Sequence, residues 1–177
     1  MSTIPVVLLI VFASRCYAEV KVFPSKKLDM RQYSTYTWLA PRIFTSAGMQ
    51  ENDPEYAPLI RQAVNRELER KGYKEVEQGG EFQVVSAVVS SKSSQLEGYL
   101  ITFGFDTLTH RYDGVTTAAP ITRVNREGAL AISLYDPKLK EGVWTGYITE
   151  ALGKPGNADK KLNNAAAKLL KKLPEKK

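Results

Sequence analysis

The sequence predicts an α+β domain, a mainly antiparallel sheet of about four to six strands with two helices packed on one face. Three observations carry that expectation. Glu127 to Leu152 reads as two strands joined by a turn, Glu81 to Ser91 is apolar on both alternating faces, and two segments repeat apolar residues at helical spacing. With 177 residues, 43% of them hydrophobic, the chain has the length of one domain and enough apolar surface for a core without disulfides or metals.

Ile4 to Ala13 is an apolar run too short to span a bilayer as a helix, and Cys16-Tyr17-Ala18 fits the small, any, small rule for signal cleavage. Residues 1–18 are therefore expected to be a secretory signal, removed after Ala18, with 19–177 as one folded domain. Lipidation of Cys16 is the alternative, although Arg15 stands where the preceding residue is normally small. Because Cys16 is the only cysteine, a domain starting at Glu19 has none, which excludes disulfide frameworks, zinc fingers and cysteine nucleophiles.

Glu19 to Phe23 alternates polar with apolar residues, and Tyr33 to Leu39 is dense in aromatic and β-branched residues, so both read as strands. Ala40 to Asp53 holds Pro, Gly, Ser and Asn and reads as loop. Asp53-Pro54 supplies a helix N-cap and first-turn proline, with Pro58 as an equally good start one turn later. Ile60, Ala63, Val64, Glu67 and Leu68 then form the inward stripe, and Gly72 closes the helix. Glu81 to Ser91 reads as a central strand, Gln95 to Phe105 as a further strand weakened by Gly98 and Gly104, and Asp106 to Arg126 as a long loop.

In the hairpin, Leu130, Ile132 and Leu134 alternate with smaller or more polar neighbours, and Trp144, Ile148 and Leu152 do so on the return. Asp136-Pro137 and Gly142 provide the turn. Gly153 to Asn157 reads as a break. Ala158 to Leu173 then places Leu162, Ala166, Leu169 and Leu173 on one helical face, and Pro174 ends it.

Taken in order, Val20-Lys-Val22, Leu28-Asp29, Tyr33-Ser-Thr-Tyr-Thr-Trp38, Lys71-Gly-Tyr73, Glu81-Phe82-Gln-Val84, Glu127-Gly-Ala-Leu130, Tyr135-Asp136, Val143-Trp-Thr-Gly146 and Leu173-Pro174 resemble the bacterial envelope family called Domain of Unknown Function 4136. The resemblance runs along nearly the whole of 19–177. It implies a secreted or lipid-anchored envelope protein of mixed α and β structure, periplasmic or associated with the outer membrane, with no established activity. The segment from Gly98 to Arg123 matches no motif.

Sites of chemistry are sparse. His110 is the only histidine; Asp106 and Asp113 flank it, but no fourth metal ligand or nucleophile accompanies them. The serines of Ser90 to Ser94 have no activating neighbour, there is no Gly-x-Ser-x-Gly, and Gly153-Lys-Pro-Gly156 lacks phosphate-loop spacing. No cofactor motif is visible.

The charge is uneven. The net +6 lies entirely in Lys154 to Lys177, where eight Lys face Asp159 and Glu175. Lys160, Lys161, Lys168, Lys171 and Lys172 either form an ordinary solvated helix face, which the apolar stripe on the other side suffices to explain, or lie against anionic head groups. Nucleic acid is not expected, since the chain is read as exported and no aromatic residues interleave with the lysines.

The first functional expectation is thus a non-enzymatic binding or scaffolding domain in the periplasm or at a membrane surface, monomeric, meeting envelope proteins or an anionic membrane surface. The alternative is a small-molecule or lipid-binding module that uses 98–126 as a lid, with Tyr99, Phe103, Phe105, His110 and Trp144 facing the ligand. A hydrolase-like enzyme ranks third. Intact-mass and N-terminal analysis of the exported protein is expected to find Glu19 at its N-terminus; an acylated Cys16, or an intact Met1 in the cytosol, overturns that boundary.

Overall fold

Phe82 to Val89 has no polar side, so as a strand it must have neighbours at both edges and layers on both faces. The computed structural model, which describes residues 19–45, 48–89, 128–149 and 155–176, places it there. In chain order the elements are β1 (Glu19–Pro24), a one-turn 3-10 helix (Met30–Gln32), β2 (Thr35–Trp38), β3 (Arg42–Thr45), β4 (Gly48–Glu51) and α1 (Ala57–Arg70). There follow β5 (Lys74–Glu75), β6 (Phe82–Val89), β7 (Ala129–Asp136), β8 (Glu141–Thr149) and α2 (Pro155–Leu170).

The described strands form one eight-stranded sheet in which β1, β8, β7 and β6 run antiparallel in that order. The other edge of β6 is shared by two short strands laid end to end. Tyr36 to Trp38 of β2 pair in parallel with Phe82 to Val84, and Arg42 to Phe44 of β3 pair in parallel with Ala87 to Val89. Beyond them, β5 pairs with β2 in parallel and β4 with β3 antiparallel. The α+β class and the two helices agree with the sequence; the sheet is larger and more mixed.

The extra strands correct the reading of 40–53 as loop. β3 and β4 are four residues each, too short to show alternation against their Pro, Gly and Ser background, and their order comes from the edge of β6. Pro41 has no N–H, and its carbonyl accepts from Asn52 at 2.7 Å as β4 returns past it.

Cross-strand register sorts the side chains. Leu130, Ile132 and Leu134 of β7 stand opposite Ile148, Gly146 and Trp144 of β8, and Leu134 stands opposite Val84 of β6, which stands opposite Trp38. This face carries the helices. With Ile60, Val64 and Leu68 of α1 and Leu162, Ala166 and Leu169 of α2 it forms one apolar cluster, and nearly all of those residues have no exposed surface. The opposite face is closed too, since Val85, Ala87, Ala129, Tyr135 and Tyr147 are buried.

Both helices follow from local sequence. Asp53 Oδ1 accepts from the amides of Glu55 (2.9 Å) and Tyr56 (3.0 Å), capping a turn that leads into α1; the regular helix begins at Ala57 with Pro58 in its first turn. At its other end Gly72 has φ +90°, and the amides of Gly72 and Tyr73 donate back to Glu69 and Leu68, the two bonds of a Schellman closure. α2 starts at Pro155, inside the segment read as a break, because proline in a first turn removes only an amide that has no helical partner.

The C-terminal segment is bound back onto the start of the fold. Lys71 is buried, donates from Nζ to the Leu173 carbonyl at 2.6 Å, and accepts at its own carbonyl from the Lys176 amide at 3.1 Å. The Tyr73 hydroxyl lies 3.2 Å from the Pro174 carbonyl and 3.3 Å from that of Met30, and Lys176 Nζ donates to Ser34 Oγ.

At Gly146 the side chains of Trp144 and of Leu169 on α2 crowd the backbone of β8. A Cβ there would lie 2.7 Å from Trp144 Cη2 and 2.9 Å from Leu169 Cδ1. Gly146→Ala is therefore expected to destabilise the protein by about 1–3 kcal/mol through overpacking, read as a lower urea midpoint. An unchanged midpoint overturns this packing account.

Candidate functional site

Of the residues singled out in the sequence, Cys16, Ala18, Tyr99, Phe103, Phe105 and His110 lie outside the described residues, as do the strand read at 95–105 and the loop at 106–126. Trp144 is 1% exposed, its ring closed in beside Gly146 and Leu169 on the helix face of the sheet. Lys160, Lys161, Lys168, Lys171 and Lys172 are all exposed, on the side of α2 away from its buried Leu162, Ala165, Ala166 and Leu169.

The remaining polar groups gather in three places. Between β2, β5 and α1, Asn65 accepts at Oδ1 from the Tyr36 hydroxyl (3.0 Å) and from Trp38 Nε1 (2.7 Å), while its Nδ2 donates to Glu75 Oε2 at 2.5 Å. Arg61 pairs with the other Glu75 oxygen, and its guanidinium lies 6.0 Å from the centre of the Trp38 ring. Burial pushes the Tyr36 hydroxyl well above the ordinary tyrosine range, with Glu75 adding to it. It is thus a proton donor to Asn65 at any physiological pH.

At the hairpin end, Asp136 accepts at Oδ1 from the amides of Lys138 (2.8 Å) and Leu139 (3.0 Å) and at Oδ2 from the Tyr33 hydroxyl (2.8 Å). Burial works to raise its pKa, but those donors outweigh burial and hold the carboxyl below its ordinary value. Tyr33 is raised, by burial first and then by this bond. Glu81 completes the set: its Oε2 accepts from the amides of Ser34 (2.5 Å) and Thr35 (2.9 Å), which lowers its pKa.

Each constellation ties one strand to a neighbouring element. None pairs a nucleophile with a base, and among the described residues no three of His, Cys, Asp and Glu gather closely enough to hold a metal ion. Sequence reasoning missed Asn65 altogether, although two aromatic residues with polar ends on β2 called for a buried partner. Ser86 is an exception among the described residues: it is fully buried in β6 opposite Ile132, and its hydroxyl has no hydrogen-bond partner there.

Among the described residues, a mixed eight-stranded sheet with two helices on one face, and polar side chains spent on joining its parts, defines an α+β framework domain. The model of the family described as "Domain of unknown function (DUF4136)" matches residues 20–175, and the chain belongs to that family. Solved structures share the fold at low identity. A DUF4136 family protein from Bacteroides thetaiotaomicron is 15% identical, with a TM-score of 0.57 over 87% of this chain and 94% of its own. A PelC dodecamer from Paraburkholderia phytofirmans is 12% identical, with a TM-score of 0.53 over 91% of this chain and all of its own. A PDZ domain protein from Parabacteroides distasonis is 12% identical, with a TM-score of 0.56 over 91% of this chain but only 36% of its own. No curated protein matches the sequence.

The Asp136 contacts make stability pH-dependent with a definite sign. A carboxyl whose folded pKa is depressed contributes stability that is fully present above its unfolded value, about 4, and is lost as pH falls through the folded value. The urea midpoint is expected to drop below pH about 4, and Asp136→Asn to flatten part of that drop. Parallel profiles for the two proteins would show that Asp136 is not responsible.

Proposed function

We propose that this chain is a non-enzymatic scaffolding domain of the bacterial envelope, exported and acting by binding another envelope component or further copies of itself. The observation that supports this reading most directly is the use made of the polar side chains. Asn65, Glu75, Glu81, Asp136, Tyr33 and Tyr36, the groups that would serve acid-base or binding chemistry, are turned toward neighbouring elements rather than toward an opening. Such groups rigidify a platform, and a platform works through its surface.

A PelC of the same fold is a dodecamer. At that level of identity the likeness carries the fold and not the assembly, so self-association is part of this proposal and stands against the monomer expected from sequence. Cross-linking in intact cells, followed by identification of the captured species, tests the reading. The expected outcome is a small, reproducible set of envelope proteins or self-linked multimers, the latter matched by multimers of the purified protein in native mass spectrometry. Purified protein that is monomeric and yields only cytosolic or scattered cross-links overturns it.

A further inference from the structure

The outward side of α2 differs from every other charged part of the described surface. At 3.6 residues per turn, Lys160, Lys171, Lys168, Lys161 and Lys172 fall within an arc of about 120°, and the row they form is about 18 Å long. Asn164 is the only other side chain within that arc between Lys160 and Lys172. The last turn keeps helical bonding past Leu170, with the Lys171 amide donating to Ala167 at 3.0 Å and that of Lys172 to Leu169 at 3.2 Å. The lysines there continue the same face.

Elsewhere most cations are matched; Lys26, Lys74 and Lys138, in separate parts of the chain, have no carboxylate within 4.0 Å among the described residues. Lys21, Lys27, Arg31, Arg42, Arg61, Arg66, Arg70 and Lys71 each stand within 4.0 Å of a carboxylate. Lys160, Lys161, Lys171 and Lys172 make no ion pair with any described residue; of the two acids near them in sequence, Asp159 accepts from Asn163 Nδ2 at 2.7 Å and Glu175 is turned to Lys71 at 3.8 Å. A helix that needed only solubility would be served by interspersed signs, with acids four residues from lysines. This face accumulates like charge instead, at a cost in self-repulsion.

The geometry points to this lysine face of α2 as a docking surface for a lipid bilayer bearing anionic head groups. The face is a straight row on the outermost layer of the fold, its apolar side being committed to the sheet and α1. It has cations and no apolar centre, whereas a specific protein interface has a buried apolar core within a polar rim. A bilayer surface asks for no shape complementarity and rewards each lysine brought close to it. Among the described residues no helix is long and apolar enough to cross a membrane.

The test is sedimentation of the purified full chain with vesicles of phosphatidylcholine alone or mixed with phosphatidylglycerol. A fourfold variant, Lys160→Gln, Lys161→Gln, Lys171→Gln and Lys172→Gln, is compared with a control of equal charge change, Lys26→Gln, Lys27→Gln, Lys74→Gln and Lys138→Gln, both confirmed as folded by circular dichroism. Binding to the anionic vesicles is expected to weaken about fivefold for each α2 lysine neutralised and much less in the control. It should also fall away in about 1 M NaCl, where the screening length is about 3 Å. Equal loss in both variants, equal binding to both vesicle types, or capture of soluble polyphosphate without vesicle binding would falsify the assignment. Failure here leaves the cross-linking test of scaffolding untouched, since that test does not depend on lipid.

Discussion

The structure depends on satisfying both edges of β6 at once. Every backbone amide and carbonyl in a strand buried on both faces needs a partner, because water cannot reach it. β7 supplies one edge without interruption from Gln83 to Val89. The other edge is served by a chain that is broken between Trp38 and Arg42, and the gap is bridged by the Leu39 amide, which donates to the Val84 carbonyl at 3.0 Å. From this one requirement follow the parallel half of the sheet and the passage of α1 over it. β2 and β6 run the same way, so the chain between them must return over the sheet, and α1 lies on that return.

The polar network secures what the core cannot orient. Tyr36, Tyr73 and Phe82 pack as a group, with Tyr36 and Phe82 stacked at 5.5 Å and Tyr73 edge-on to Phe82 at 5.6 Å. Rings bury apolar area efficiently but leave hydroxyls that need partners, and Asn65 and the Met30 and Pro174 carbonyls stand at those positions. Burial has pushed the Tyr73 hydroxyl up to about 12, so it remains protonated and able to donate throughout the physiological range. Ser86, whose hydroxyl has no such partner, shows that the pattern is not universal.

Much of this was legible in the sequence. The hairpin could be read because eight- and nine-residue strands are long enough for Leu130, Ile132 and Leu134 to show their alternation. The inward stripe of α1, Glu67 included, emerged from helical spacing and is the buried side of that helix. β3, β4 and β5 were not legible, since two to four residues cannot display a period and their order is imposed by neighbours far along the chain. Of the candidate site, the lysine face of α2 was visible as spacing, but the absence of described carboxylate partners for Lys160, Lys161, Lys171 and Lys172 was not. Whether a lysine meets an acid is decided by tertiary contacts.

The fastening of Leu173 to Lys176 onto Lys71, Tyr73 and Ser34 bears on how the protein comes into being. α1 is made early, yet the helix it packs against and the segment that covers its buried lysine lie far along the chain, Leu173 being 102 residues beyond Lys71. Until that stretch arrives, an apolar helix face and an ammonium group await the same missing piece, so a growing chain stays incompletely packed until α2 and residues 173–176 have been made.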